Sequence, residues 1–424
     1  MLTQIISAAL SGVKLGLCPI GLVIIGALFT YRLCESTGSM EKIRHALTSI
    51  SEDPVIIILL VVWGFGNFME GIAGFGTAVA IPAAILAGIG IKPIRAVVLC
   101  LIANTAATAF GSVGVPAITL ANTANLDVRN LVSFSTNAIT LIFAVTPFLL
   151  VAYATGMRGV KRYFLMTSLV SLAFALPAYF IAIYWGPELP AIIGGISAIV
   201  IVVITHKLPT NVSCKSLALA AAPFISVIVC LAIYALALPQ YVKAHLTPGA
   251  IILIAGAIGG LFQRVSFLDM FKVLLTTLHK SMRALIIICS ILALARILDS
   301  IGAISILANA VVSLMGRSYA FAATALGAFG GTLTGSGTSS NVLFGALQHD
   351  AAIKLGFNEY ALAAANLLGS GIGKMICPQS IAIGMAAVGI KGCEKEIIKD
   401  ACKYFAGVLI LASLTCALMA IANA

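Results

Sequence analysis

Two polar clusters in the second half of the sequence combine the residue types that bind an anion. The run Thr338–Asn341 places three hydroxyls and an amide side by side, and Lys374 lies further on, between the glycines that end at Gly373 and Pro378. Hydroxyl, amide and ammonium groups all donate hydrogen bonds, which a carboxylate accepts through both of its oxygens. The clusters predict a carboxylate site in which Ser or Asn binds an α-hydroxyl. Helix capping or packing by the hydroxyls and snorkelling of Lys374 to an interface are the alternatives.

Glu70 is the acidic residue deep within the corresponding apolar region of the first half. A carboxyl group in a low-dielectric site binds a proton more readily than one in water, so Glu70 is a candidate carrier of a coupling proton. The same position equally fits a fixed ion pair or a hydrated carboxylate at a loop tip. The sequence leaves these alternatives open.

The surroundings of these residues are those of a helical membrane protein. Of the 424 residues, 61% are hydrophobic and 9% are charged, whereas soluble domains carry about 25% charged residues. The mean hydropathy of +1.12 and repeated apolar runs of about 20 residues indicate several membrane-spanning helices. This composition excludes a soluble enzyme, a nucleic-acid-binding protein and a β-barrel, whose strands would alternate apolar and polar residues.

Other function classes lack their characteristic groups. The sequence contains neither a nucleotide-binding P-loop nor a nucleophile–base pair, so we expect no ATPase and no enzyme. The ten cysteines form no CxxC pair and the five histidines are far apart, so we expect no disulfide framework, metal site or cofactor. The net charge of +11 is the basic excess that membrane proteins concentrate in cytoplasmic loops.

An internal repeat relates the two halves of the sequence. The matching landmarks are Arg32–Gly38 with Arg296–Gly302 and Gly71 with Gly335 at an offset of 264 (296 − 32), then Asn104 with Asn366 and Pro116 with Pro378 at an offset of 262 (366 − 104). Chance similarity between Gly- and Ala-rich runs is the alternative, but Asn, Pro and charged residues are scarce here and their order is kept. Duplicated halves with matching helix breaks are typical of secondary transporters.

The predicted fold class is an all-α polytopic membrane protein with two inverted-topology repeats, about 10 full spans and 2 re-entrant hairpins. The first repeat comprises residues 1–156, with a hairpin at 54–90 and a broken helix at 93–122. The second repeat comprises residues 266–424, with a hairpin at 318–356 and a broken helix at 358–390. Residues 157–265 are connecting scaffold spans. Most Lys and Arg residues then fall on one side, and the other side holds only Arg129, Lys243, Arg317 and Lys354. The basic side is expected in the cytoplasm, with both termini outside.

Helix breaks inside the membrane indicate where the site lies. An opened helix leaves backbone N–H and C=O groups unpaired at several kcal/mol each unless water, an ion or a substrate binds them. We predict breaks at Glu70–Thr77, Phe110–Pro116, Thr334–Asn341 and Gly369–Pro378. Two of them end in a proline, which suits the first position of a new half-helix. The N-terminus of such a half-helix attracts an anion.

The predicted substrate-binding residues lie at these breaks or at the asparagines that match between the repeats, where opened backbone is expected. They are Gly71, Thr77, Asn104, Thr105, Ser336, Thr338, Ser339, Ser340, Asn341, Asn366, Lys374 and Gln379, and Glu70 is the predicted proton-coupling residue. No catalytic residue and no metal ligand is predicted.

Five segments at the breaks resemble the lactate permease family. They are Phe68–Thr77, Leu99–Thr105, Ala109–Pro116, Leu333–Asn341 and Gly373–Ser380. The resemblance is dense over residues 65–116 and 329–390, and it implies a proton symporter for lactate and glycolate in a bacterial inner membrane. Family members often carry Asp where this chain has Gly337, which leaves the coupling ion open.

The sequence leads to one leading hypothesis and two alternatives. The leading hypothesis is a secondary transporter that imports a small 2-hydroxy monocarboxylate with protons across the plasma membrane. A sodium-coupled carboxylate carrier, with opened carbonyls at Asn104 and Asn366 as Na⁺ ligands, is the second. A channel or a membrane subunit of a larger complex is the third. The expected partners are the carboxylate anion, H⁺ or Na⁺ and membrane lipid, without nucleic acid, and a homodimer is left open.

Overall fold

The computed structural model describes residues 2–74, 76–206, 213–237 and 247–423, and each regular element in these ranges is a helix. Phe75 of the first predicted hairpin tip, residues 207–212 of the predicted scaffold and Lys243 lie outside the described residues. Large apolar side chains remain exposed on the outer helices, among them Leu165 and Leu314. Such a surface is stable in lipid rather than in water. The chain is therefore an all-helical membrane protein.

The first part of the chain contains nine helices or half-helices among the described residues. They are α1 (Leu2–Leu15), α2 (Leu22–Ser36), α3 (Ser39–Thr48), α4 (Pro54–Ile57), α5 (Gly66–Ile72), α6 (Thr77–Gly88), α7 (Pro93–Ala103), α8 (Gly111–Ala124) and α9 (Val128–Arg162). A π-helical stretch at Ile58–Phe65 joins α4 to α5. Asp53 caps α4 because its carboxylate accepts from the backbone N–H of Val55 at 2.8 Å, and Pro54 follows at the first helical position.

The remaining helices run from the scaffold into the second predicted repeat. They are α10 (Phe164–Tyr184), α11 (Pro190–His206), α12 (Cys214–Ala220), α13 (Ala222–Ala237), α14 (Pro248–Phe262), α15 (Phe267–Ser300), α16 (Ala303–Met315), α17 (Tyr319–Thr334), α18 (Gly337–Lys354), α19 (Ala361–Gly373), α20 (Pro378–Ala387) and α21 (Glu394–Ala422). Among the described residues, 6 helices are long and apolar enough to cross a membrane, or up to 9 if each bent helix pair is one span. The predicted span count and the inverted relation of the repeats stay predictions.

The first broken span opens between Asn104 and Gly114, and its two halves meet at an angle of 64°. Ser112 and Val113 adopt left-handed φ angles of 44° and 58° before Gly114. This conformation costs a non-glycine residue about 1–2 kcal/mol, so tertiary contacts must hold it. The Ser112 hydroxyl donates to the carbonyl of Ala73 at 3.1 Å, which ties the break to the first hairpin tip.

The second broken span is opened over fewer residues than predicted. α19 continues to Gly373, a 3₁₀ turn covers Lys374–Ile376, and α20 begins at Pro378. The prediction that Gly369–Gly373 is unwound is therefore wrong. Asn366 is likewise a residue inside a helix and does not occupy an unwinding point.

The glycines in this segment serve close packing instead. Gly327 and Gly331 on α17 face Gly369 and Gly373 on α19, and a Cβ on any of the four would overlap a backbone carbonyl oxygen of the other helix. Small residues four positions apart are the pattern of closely packed helix pairs in membranes. The contact also fixes the position of Lys374, which directly follows Gly373.

We expect Gly331→Ala to lower the stability of the purified protein by about 1–3 kcal/mol, because the added methyl group forces α17 away from α19. Gly407→Ala in α21 is the matched control, since a Cβ there has no atom within 4 Å. Thermal unfolding in detergent measures both variants. An unchanged melting temperature for Gly331→Ala would contradict the close contact.

Candidate functional site

Glu70 and Lys374 form an ion pair inside the protein. Glu70 lies near the end of α5 and Lys374 begins the 3₁₀ turn after α19, 304 residues later. Lys374 Nζ is 2.9 Å from Glu70 Oε1, and the two side chains are 8% and 3% exposed. Two further ion pairs, Arg44 with Glu41 and Lys272 with Asp269, are on the surface. Because an unpaired charge is costly to bury, each of these residues requires the other.

The three N–H groups of Lys374 each have an acceptor. The ammonium donates to Glu70 Oε1 at 2.9 Å and to Thr108 Oγ1 at 3.0 Å. With the Asn104 amide nitrogen turned towards the carboxylate, this amide donates to Glu70 Oε2 at 3.1 Å and its oxygen accepts from Lys374 Nζ at 3.2 Å. The Thr108 hydroxyl is also 3.3 Å from Glu70 Oε1. Lys374 would therefore keep two neutral acceptors if Glu70 became protonated.

A cavity of about 150 Å³ adjoins the ion pair. It is lined by residues of both hairpin tips, both broken spans and α15. The lining residues are Glu70, Gly76, Thr108, Gly111, Ser112, Pro116, Ile287, Ile288, Thr334, Gly335, Ser336, Gly337, Thr338, Ser339, Lys374, Gln379, Ser380 and Ile383. Hydroxyl, amide and charged groups together with three isoleucines suit a small molecule that has a polar and an apolar end.

Two helices begin at this cavity. α18 starts at Gly337 after Ser336, whose hydroxyl accepts from the backbone N–H of Ser339 at 3.2 Å. α20 starts at Pro378. First-turn N–H groups lack partners within their own helix and form the positive end of the helix dipole. Together with Lys374, these two helix ends make the cavity suitable for an anion.

The predicted site residues divide into those at the cavity wall and those behind it. The residues at the wall are Glu70, Ser336, Thr338, Ser339, Lys374 and Gln379. Asn104 lies behind them, within hydrogen-bond distance of both charged groups.

The remaining predicted residues do not line the cavity. Gly71 packs against Ile192, and three hydroxyls donate to carbonyl oxygens: Thr77 to Gly74 at 2.8 Å, Thr105 to Ile102 at 3.2 Å and Ser340 to Gly327 at 2.9 Å. These groups stabilise helix ends and helix contacts, which is the capping and packing alternative.

Asn341 and Asn366 belong to a buried hydrogen-bond network rather than to the cavity wall. Asn341 Nδ2 donates to the carbonyl of Pro116 at 3.1 Å, and Asn366 Nδ2 donates to Asn341 Oδ1 at 2.9 Å. Gln348 Nε2 donates to Asn366 Oδ1 at 3.5 Å, and the Tyr319 hydroxyl donates to Gln348 Oε1 at 2.9 Å. The network connects α17, α18 and α19 to the broken helix α8, so these amides position the cavity segments.

Several lining residues escaped sequence reasoning. Thr108, the neutral hydroxyl that bonds to the ion pair, lies four residues after Asn104 within the opened stretch. This spacing could have predicted that Thr108 lies near Asn104 at the site. Ser112 and Thr334 carry hydroxyls within predicted breaks, and Ser380 lies two residues after the predicted break Gly369–Pro378. The three isoleucines offered no signal, because Ile is common throughout an apolar chain.

Comparison with known proteins identifies related chains over the full length. A model of the L-lactate permease family matches residues 1–216 and 217–422. An L-lactate permease of Streptococcus iniae is 37% identical over 393 residues, which cover 85% of this chain and 83% of the relative. The glycolate permease GlcA of Escherichia coli is 31% identical over 478 residues, covering 95% and 85% of the two chains. An L-lactate permease of Escherichia coli is 30% identical over 463 residues, covering 94% and 84%.

Two solved transporter structures share the fold. MtrF of Neisseria gonorrhoeae, described as a member of a class of antimetabolite efflux pumps, superimposes with a TM-score of 0.56 at 14% identity, covering 100% of this chain and 85% of MtrF. The YdaH transporter of Alcanivorax borkumensis gives a TM-score of 0.56 at 15% identity, covering 98% and 88%. At this identity the likeness concerns the fold alone.

We expect Lys374→Ala to abolish uptake of radiolabelled lactate into proteoliposomes and to lower stability by about 3–5 kcal/mol, because it leaves the Glu70 carboxylate buried without a cation. The double variant Glu70→Ala/Lys374→Ala removes both charges and should recover most of the stability without recovering uptake. Lys354→Ala, at the exposed end of α18, is the control and should transport normally. Uptake by the double variant at the wild-type rate would show that the pair is only structural.

We expect Gly337→Ala to impair uptake, because its Cβ would lie 2.7 Å from Thr108 Cγ2 and would displace the hydroxyl that binds Lys374. Thr108→Ser removes this methyl group and keeps the hydroxyl. The double variant Gly337→Ala/Thr108→Ser should therefore transport better than Gly337→Ala alone. Initial uptake rates of the two single variants and the double variant measure the coupling; purely additive losses would contradict the steric explanation.

Proposed function

The chain belongs to the L-lactate permease family, and on that premise we propose that it is a secondary transporter that imports lactate or glycolate by proton symport. The family model covers nearly the whole chain, and the relatives named as L-lactate or glycolate permeases align over most of their length. A cavity of about 150 Å³ suits a small monocarboxylate. Family membership supports the substrate class, and the ion pair supports the coupling.

The Glu70–Lys374 pair is the observation that carries the proposal of proton coupling. The pair is neutral as a unit, and both side chains are buried. A substrate carboxylate that entered the adjoining cavity would leave one net negative charge in a low-dielectric site, which is unfavourable. One proton on Glu70 restores neutrality and releases Lys374 to bind the substrate. The charge balance therefore favours one proton for each monocarboxylate.

The neighbouring groups support this exchange of partners. Once Glu70 is protonated, Lys374 keeps Thr108 and Asn104 as acceptors and can turn its third N–H towards the substrate carboxylate. The first turns of α18 and α20 add backbone N–H donors at the same cavity. Ser339 and Gln379, which line the cavity, can bind the α-hydroxyl. The three isoleucines then contact the apolar carbon of the substrate.

The proposal extends to the organisation of the chain in the membrane. Residues 1–156 and 266–424 would be two inverted repeats joined by scaffold spans at 157–265, so that the hairpins 54–90 and 318–356 approach the cavity from opposite sides. The distribution of Lys and Arg places both termini outside a bacterial inner membrane. Pairing of two copies into a homodimer is compatible with this arrangement. The comparisons offer no support for the sodium-coupled alternative.

The proposal is tested with purified protein in proteoliposomes. A pH gradient that is acidic outside should drive accumulation of labelled lactate, and a pyranine signal inside the vesicles should report a matching proton influx. A Na⁺ gradient without a pH gradient should drive none. Accumulation driven by Na⁺ alone would refute proton symport while leaving the substrate assignment in place.

We expect Glu70→Gln to exchange labelled for unlabelled lactate across the membrane but to fail to accumulate lactate under a pH gradient. The amide imitates the protonated carboxyl, so the substrate can bind without a proton. Glu396→Gln, on the exposed first turn of α21, removes the same charge elsewhere and should behave as wild type. Normal accumulation by Glu70→Gln would exclude Glu70 as the proton carrier.

A further inference from the structure

Another cavity, of about 290 Å³, lies between the end of α2 and the first part of α15. It is separate from the transport cavity and shares no lining residue with it. Its lining residues are Arg32, Glu35, Ser36, Lys272, Val273, Thr276 and Lys280. Lys272, Thr276 and Lys280 are four residues apart on α15 and so share one helix face, which meets Arg32 of α2 across the cavity.

Arg32 has an unsatisfied donor at this cavity. Its Nε is buried and has no hydrogen-bond partner among the described residues. A buried donor without a partner is unfavourable, so an acceptor from outside the chain would stabilise the Arg32 guanidinium, which lines this cavity.

The charges around the cavity favour an anionic group. Arg32, Lys272 and Lys280 are its cations, and Glu35 is the acidic residue among its lining residues. Asp269 pairs with Lys272 at 3.0 Å on the exposed surface but does not line the cavity. With Glu35 and Asp269 both counted against the three cations, one positive charge remains (3 − 2), which matches one singly charged phosphodiester.

The cavity borders a surface suited to lipid chains. Phe267, Leu268, Phe271 and Leu275 on the same part of α15 are each at least 50% exposed. This segment, Phe267–Met282, meets the following one at a bend of 50°. A helical segment with exposed aromatic and leucine side chains and a basic face is typical of the membrane–water interface. The charge distribution of the chain predicts that this interface is on the cytoplasmic side. Basic pockets between helices bind anionic lipids on that side.

We propose that this cavity binds the phosphate headgroup of an anionic phospholipid, with the Arg32 guanidinium and the Lys280 ammonium as its main ligands and the acyl chains along Phe271 and Leu275. The guanidinium can bind two phosphate oxygens at once. Beyond the bend, the same helix carries Ile287 and Ile288 of the transport cavity, so the lipid and the substrate would contact one helix.

The test is native mass spectrometry of the full-length protein in detergent, titrated with phosphatidylglycerol or with phosphatidylcholine. The wild type should bind one phosphatidylglycerol about tenfold or more tighter than phosphatidylcholine. Arg32→Gln/Lys280→Gln should lose this preference. The control Lys395→Gln/Lys399→Gln removes the same charge from exposed positions on α21 and should keep it. If the first double variant does not fold, Lys280→Glu replaces it and should weaken phosphatidylglycerol binding in the same assay.

Three results would overturn the proposal. The first is equal affinity of the wild type for the two lipids. The second is an equal loss of preference in the control variant, which would indicate general electrostatic attraction. The third is displacement of phosphatidylglycerol by millimolar inorganic phosphate, which would make free phosphate the ligand.

Discussion

The ion pair between Glu70 and Lys374 is the constraint around which the rest of the site is arranged. Neither charge is stable alone in an apolar interior, so the end of α5, which carries Glu70, and the 3₁₀ turn that carries Lys374 must be held against each other. The two residues are 304 positions apart in the chain. The tertiary structure must therefore bring two distant segments close enough for Lys374 to donate a hydrogen bond to Glu70. Asn104 and Thr108 complete the pair by occupying the remaining donor and acceptor positions.

Backbone packing provides the precision that this contact needs. The glycines on α17 and α19 allow these helices to touch, so the residue after Gly373 has a defined position. Across the cavity, the left-handed turn at Ser112 is held by its hydrogen bond to Ala73. The buried amides of Asn341 and Asn366 then connect the second hairpin to the broken helix α8. The cavity is thus positioned by close backbone packing at the glycines and by buried side-chain hydrogen bonds.

The sequence predicted the helical class and the approximate regions of the helix breaks, and it singled out both charged residues, because polar residues are scarce in an apolar chain and therefore informative. It could not join Glu70 to Lys374, since spacing within one chain does not report contacts across 304 residues. It predicted opened backbone at Asn366 because this residue matches Asn104 in the repeat, and at Gly369–Gly373 because glycines suggest unwinding, whereas here the glycines permit close packing within a helix. Ile287 and Ile288 could not be predicted to line the cavity for a different reason. In an apolar chain, nothing in the sequence distinguishes a cavity-lining isoleucine from the many others.

The charge of the site also explains why a carrier built around this pair would couple its two substrates. Under the proposed mechanism, the empty site is neutral because Glu70 and Lys374 cancel, and the fully loaded site is neutral because a proton and a monocarboxylate cancel. A site that held only the anion would carry a net negative charge, and one that held only the proton would carry a net positive charge. Either charge raises the free energy of every conformation in which the site is shielded from water. Only the neutral forms would cross readily between the two sides, so the proton and the anion would move together.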